Sequence, residues 1–340
     1  LSRRKLIPIA VIKTDILEMN GQNVEATKSV DITAQNINIK DSGIYSSDVK
    51  LISNKLSMTS KKEKEIVLRT DKELLTREYV LGSTIDANKN ISLNVNELEL
   101  KGAVIRADEN ISLKGNKLDL LSEKVVKDYK SAYSISKSFR TVKNNERLEQ
   151  IVGSYITGKN INIAYKNLTT KASGILSSNN IGVNGNNVNL GTSVVKYELD
   201  KRIGIDNGIL GINYKNIQKN IESTVGSVVL SKGDVSVKVD NEFNLSGSKI
   251  KGHKVDIEAG NVNINSTKDN STTKTESRNL LGGDLTGSAE YNKTDTNISA
   301  KVDMEIYKKE KDEAKRCKNK VLFVHIFRGV INIYAIIYNI

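Results

Sequence analysis

Tryptophan is missing from this chain, proline and cysteine each occur once, and aromatic residues make up only 5% of it. Each scarcity excludes something. A lone Cys317 leaves no internal disulfide and no cysteine-rich metal site. That suits a cytosolic protein and equally one that crosses a membrane unfolded, so the compartment stays open. With Pro8 the one proline, nearly every backbone N–H can donate, as long ladders require. So few aromatics argue against an ordinary mixed enzyme domain. A core must come from small and β-branched aliphatic residues, which favour strands.

Asn, Ser, Lys, Ile and Gly are abundant instead, and 340 residues allow one large domain or two ordinary ones. The net charge is +12. Lys is scattered rather than gathered into one stripe, which reads as a solvated basic surface and not as a nucleic-acid interface. Arg3-Arg4-Lys5 precedes an apolar run, Leu6 to Ile12, too short for a secretory h-region. The chain opens on Leu and is read as a piece of something longer.

The dominant pattern is an aliphatic pair spaced one residue apart. It occurs at Val30/Ile32, Ile37/Ile39, Val49/Leu51 and Leu56/Met58, then at Ile91/Leu93, Leu98/Leu100, Ile111/Leu113 and Leu118/Leu120. A third block has Ile161/Ile163, a weaker Leu168/Thr170, Ile181/Val183 and Val188/Leu190; a fourth has Val235/Val237, Phe243/Leu245, Val255/Ile257 and Val262/Ile264. Asn90-Ile91-Ser92-Leu93 returns as Asn110-Ile111-Ser112-Leu113, a displacement of about twenty residues. Alternation marks strands with one buried face. A chain coiling through about three short strands per twenty residues is a parallel β-helix, with coils stacked roughly 4.8 Å apart. Ile91 then stacks on Ile111, Leu98 on Leu118, and Asn90 on Asn110 as an amide ladder. The competing antiparallel meander needs Asn-Gly or Asp-Gly turns, and Asn94-Val95-Asn96-Glu97 has none.

The pattern is interrupted at 59–84, 121–157, 191–228 and 265–304, and a larger repeat of about 60 to 75 residues contains the smaller one. Some interruptions read as hairpins. Ile203 and Ile205 lead to Asp206-Asn207-Gly208 before Leu210, Ile212 and Tyr214. Leu285, Gly287, Ala289 and Tyr291 alternate up to a turn at Asn292 to Asp295, and Ile298, Ala300 and Val302 alternate away. Segment 121–157 is compatible with helix as well as strand.

Gly82-Ser83-Thr84-Ile85-Asp86-Ala87, followed by Asn90-Ile91-Ser92-Leu93, resembles the haemagglutinin repeats of filamentous haemagglutinins, the two-partner-secreted exoproteins of Gram-negative bacteria. So do Ala172-Ser173-Gly174-Ile175-Leu176-Ser177 with Ile181-Gly182-Val183, and Asn265-Ser266-Thr267 running into a Ser/Thr-rich arm. The resemblance implies an all-β, right-handed parallel β-helix with extruded hairpin arms. It also implies export through an outer-membrane two-partner secretion transporter to the extracellular space or bacterial surface. There the segment is expected to be a structural, adhesive and virulence-associated shaft that meets a cell-surface receptor on host or neighbouring cells, and the scattered lysines make an acidic glycan the other candidate partner. Stalks of contact-dependent growth-inhibition toxins share the pattern. The family's N-terminal secretion domain and any C-terminal toxin domain are not seen in this sequence.

Sequence candidates for chemistry are weak. His253 and His325 lack an evident acidic or cysteine partner. Ser134-Ile135-Ser136-Lys137 matches S-x-x-K without the accompanying elements. Gly282-Gly283-Asp284-Leu285-Thr286-Gly287 lacks the repetition of a calcium β-roll. Gly182-Val183-Asn184-Gly185-Asn186-Asn187 lacks the strand-to-helix setting of a phosphate loop and reads as coil corners with positive φ. Asp108-Glu109 and Asp256 with Glu258 stand isolated, against the clustered acids of a β-helical polysaccharide enzyme, the third reading. The expectation is no enzyme, with no catalytic residue, cofactor or metal.

The chain divides, on this reading, into an irregular lead-in at 1–24, the repeat β-helix at 25–305 and a basic then apolar tail at 306–340. In the tail, Lys315-Arg316-Cys317-Lys318-Asn319-Lys320 precedes a mostly apolar Val321 to Ile340. Arg328, His325 and Asn332 inside that run make a membrane anchor costly. An out-of-frame end of a longer gene is the preferred reading.

Overall fold

A computed structural model describes residues 7–135, 140–206, 212–281, 284–286, 291–299, 320–327 and 330–337, and among these there is no helix. Strands alternate between two roles. β1 (Ile7–Asn20), β2 (Asn23–Lys40) and β3 (Gly43–Thr59) are full coils stacked in parallel. A hairpin follows, β4 (Lys61–Arg69) with β5 (Glu73–Leu81), and is called arm A. Coil 4 is β6 (Thr84–Lys101), and coil 5 is β7 (Val104–Ala107) with β8 (Asn110–Leu121). Arm B is β9 (Glu123–Ile135) with β10 (Arg140–Val152).

The scheme then repeats. Coil 6 is β11 (Tyr155–Lys171); coil 7 is the first half of β12 (Gly174–Asp206). From Thr192 onward β12 leaves the stack and pairs with β13 (Ile212–Gly226) as arm C. Coil 8 is β14 (Val228–Ser231) with β15 (Val235–Ser246), and coil 9 is β16 (Lys249–Lys251) with β17 (Val255–Asn265). Arm D is β18 (Thr267–Leu281), β19 (Asp284–Thr286) and β20 (Tyr291–Ser299).

The aliphatic pairs point inward because alternate side chains of a strand share a face. Val49, Ile91, Ile111 and Ile161 are successive register partners, as are Leu56, Leu98, Leu118 and Leu168. All eight are at most 2% exposed. Burying each stabilises by about 1.5–3 kcal/mol before entropy is counted. Val262 and Ile264, in the last coil, are half-buried. The twenty-residue register is as expected: Ile91 on Ile111, Leu98 on Leu118, Asn90 on Asn110.

The regular stack starts at Ile7, inside the segment expected to be an irregular lead-in. Its alternation is masked in the sequence because outward positions carry aliphatics too: Ile9, Val11 and Ile16 are all more than half exposed. Pro8 lies in this first coil, where the register shifts between Ile7 and Ile9, a bulge that tolerates a missing N–H.

Each interruption of the pattern is an antiparallel hairpin, including 121–157, where helix was also open. Asp206 pairs with Ile212, so the Asn-Gly signal does mark a hairpin. The turn expected at Asn292–Asp295 falls elsewhere: those residues lie within β20, paired to β18. In the tail, β21 (Lys320–Phe327) and β22 (Val330–Ile337) form a separate antiparallel pair. No described helix is long and apolar enough to cross a membrane.

The arms join one another. β5 pairs with β9, β10 with β12, and β13 with β18, all antiparallel, so arms A to D form one continuous sheet, a wing beside the coil stack. Arms leave after coils 3, 5, 7 and 9. Two coils rise about 10 Å, which is the width of the two strands in one hairpin. That match lets every arm meet the next.

Candidate functional site

Arms leave from one corner of the coil, and its chemistry repeats. Where no arm leaves, a residue with positive φ closes the corner: Gly21 (67°), Asp41 (48°), Gly102 (60°), Ala172 (45°) and Gly247 (49°). A buried serine usually follows or precedes the return to the stack: Ser42, Ser83, Ser154, Ser173, Ser227 and Ser248. They form a column. The Ser154 N–H donates to Ser173 Oγ at 3.1 Å, the Ser173 N–H to Ser227 Oγ at 3.3 Å, and the Ser227 N–H to Ser248 Oγ at 3.0 Å. Their hydroxyls return bonds to carbonyls at the point of departure, Ser154 to Leu121 O (2.6 Å) and Ser227 to Gly191 O (2.7 Å). Gly or Ala precedes Ser at five of these places, and Asp41 at Ser42, a signal that the aliphatic search passed over.

The roots of the arms are clamped by carboxylates. Glu123 binds Lys62 of arm A (3.0 Å) and Lys101 of coil 4 (2.9 Å). Burial works to raise the Glu123 carboxyl, but the two lysines outweigh it and hold it below the usual range. Just beyond the last paired residues of each seam, a carboxylate replaces the ladder bond. Glu78 accepts the Val126 N–H (3.0 Å), Glu149 the Lys196 N–H (3.2 Å), and Asp269 the Thr224 N–H (2.7 Å). Backbone groups that splay apart there are thus not left unsatisfied.

Outward amides form the expected ladder on the coil surface. Asn90 Nδ2 donates to Asp48 (2.9 Å), Asn110 to Asn90 (2.9 Å), Asn160 to Asn110 (3.0 Å) and Asn179 to Asn160 (2.7 Å). Arg106 makes a two-pronged pair with Asp86 one coil below (3.0 and 2.7 Å). Along another corner runs an 840 Å³ groove lined by Lys13, Gln35, Asn54, Asn94 and Asn96, among others.

The sequence candidates for chemistry are dispersed. His253 does have an acidic neighbour, contrary to expectation: its Nδ1 lies 3.3 Å from Asp234 Oδ1 in the coil below, with both side chains mostly exposed. A twenty-residue repeat hides such partners because they lie one coil away. Ser134 is in β9, while Ser136 and Lys137 lie outside the described residues, as do Gly282, Gly283 and Gly287. The glycines of the 182–187 run do not have positive φ. Gly185 is required for close approach, since a Cβ there would collide with the Tyr165 carbonyl oxygen. Asp108 and Glu109 spend their backbone groups on neighbouring coils, and Asp256 and Glu258 sit on outward positions of β17. Among the described residues no group of three or more His, Cys, Asp and Glu side chains is placed to hold a metal.

The family model for the Hemagglutinin repeat matches residues 133–280 and 209–321, together more than half of the chain. The chain belongs to the hemagglutinin-repeat family. No curated protein and no solved structure matches it. The hemagglutinin-repeat match opens within arm B and spans coils 6 to 9 with arms C and D, so coils and arms together are the family's unit. Membership makes this a segment of a secreted, adhesin-like shaft, structural or adhesive rather than catalytic in kind.

Proposed function

We propose that this segment is the shaft of a bacterial surface exoprotein that attaches to acidic glycans on host or neighbouring cells through repeated weak contacts. The observation carrying this reading is the stack itself. Parallel coils present outward amides in a column with a repeat of about 5 Å, with lysines distributed between them on a body of net charge +12. Export through an outer-membrane two-partner transporter and a right-handed coil complete the proposal, both following from the family resemblance. A single coil contributes little affinity, and a multivalent surface gains through effective concentration. Lysines on an exposed surface are screened by salt.

The test immobilises sulfated, sialylated and neutral glycans at low and high density and flows the purified segment over each. Binding should favour the acidic glycans, rise steeply with density and fall as salt increases. Equal binding to neutral glycans, or indifference to salt, rejects the reading.

A further inference from the structure

We propose that the outer edge of β4 is a docking site for an acidic, extended segment of another protein, which adds to the wing as a further strand. The other arms' first strands are covered: β9 by β5, β12 by β10, and β18 by β13. Among the described residues β4 pairs with β5 alone. This edge is set by local sequence. Arms recur every second coil, so the position before arm A falls after coil 1. There Gly21, at φ 67°, closes the corner directly, and its N–H donates to Lys40 O at 3.1 Å. Among the described residues no arm therefore flanks β4 on that side. The flank is two coils high, room for about two strands.

An uncovered edge strand offers a row of backbone donors and acceptors to an incoming strand. Here it also offers apolar contact, since Ile66 is 56% exposed, Val67 52% and Leu68 39%. Charge selects the occupant. β4 carries Lys61, Lys62, Lys64 and Arg69 against Glu63 and Glu65. Lys61 and Lys62 are held by Glu63 and Glu123. Lys64 stands opposite Glu78 in the ladder, but that carboxylate accepts the Val126 N–H. Glu63 and Glu65 are engaged by Lys61 and Arg77, so a second copy laid across β4 offers Lys64 no free carboxylate. A strand with a carboxylate against Lys64 and an aliphatic residue against Ile66 complements it. The bulge between Ile66 and Leu68 confines regular pairing to the root half of β4.

The experiment uses the whole chain and a fluorescein-labelled synthetic peptide of Glu-Thr-Val-Thr repeats, which sets Glu and Val two residues apart on one face as Lys64 and Ile66 are, beside an analogue with Lys in place of Glu. Anisotropy should show saturable binding of the Glu peptide alone, and hydrogen exchange should slow across 61–69. Lys64→Glu, exposed and at the edge, should weaken binding about tenfold with an unchanged circular dichroism spectrum. Absence of binding, equal binding of the Lys analogue, or protection confined to residues outside 61–69 overturns the proposal. So does a dimer in sedimentation that protects 61–69 without peptide, since a second copy would then fit the edge.

Discussion

Tyr165 is the largest fully buried side chain of the stack, at 1% exposure, and it dictates what its neighbours can be. Its register partner in the coil below is Gly115, where a Cβ would lie 2.6 Å from the Tyr165 ring. The phenol oxygen is buried without a hydrogen-bond partner. Leaving a hydroxyl unsatisfied costs about 1–3 kcal/mol, so Tyr165→Phe should be at least as stable as the parent in urea, by about 1 kcal/mol. Burial also pushes the phenol pKa up. The folded chain then holds this proton more tightly than the unfolded chain. Stability is unaffected below the ordinary tyrosine pKa of about 10 and declines as pH rises past it. Tyr165→Phe should flatten that alkaline decline; a destabilised variant with the same decline would contradict the account. The columns above and below were legible because Φ-x-Φ spacing is what burial of one strand face demands. Tyr165 was not, because it fills a corner outside the pairs, and only its two flanking-coil glycines, Gly115 and Gly185, hint at it.

At the level of elements, the arms and coils are coupled by a shared dimension. One hairpin and two coils both occupy about 10 Å along the stack, which is why coils come in pairs between arms. This predicts that inserting a single extra coil, a duplicate of Tyr155–Ser173, leaves the stack intact but breaks the wing. Arms B and C would stand about 5 Å too far apart. Hydrogen exchange should then lose protection at Arg140–Leu148, which pair with Tyr197–Ile205 across that seam, while Ile161 and Ile181 keep theirs. Continued protection of 140–148 would show that the seam does not depend on coil count. The sequence displayed the larger repeat and one Asp-Asn-Gly turn, yet left 121–157 open and misplaced the turn of the last arm. The reason is physical. The wing is a sheet lying beside the stack rather than inside it, and few of its side chains are buried, so the alternation that reveals a coil strand is faint. Polar residues recur on both faces, as in the row Asp128, Arg147, Glu198, Asn220 on one and Ser131, Asn144, Lys201 on the other.

For the molecule as a whole, a simple solenoid would open locally from either end, each coil contacting only its neighbours. The wing changes that. Coils 4 to 9 lie between arms joined by seams of five register pairs (A to B), nine (B to C) and eleven (C to D). Opening one of these coils displaces the arms it carries and strains a seam, so the cost is shared along the stack. Coils 1 and 2 carry no arm, although Val30, Ile32 and Ile37 in coil 2 are as buried as any residue of the core. Native-state hydrogen exchange separates burial from bracing, because it reports the free energy of opening segment by segment. Amides of coils 6 to 9, beside the two longest seams, should exchange slowest and together. Coils 4 and 5, held through the short seam, should come next, and coils 1 and 2 first. If coil 2 instead exchanges as slowly as coil 7, stacking alone accounts for stiffness. A braced order would mean that the arms, whatever they bind, also hold the shaft rigid.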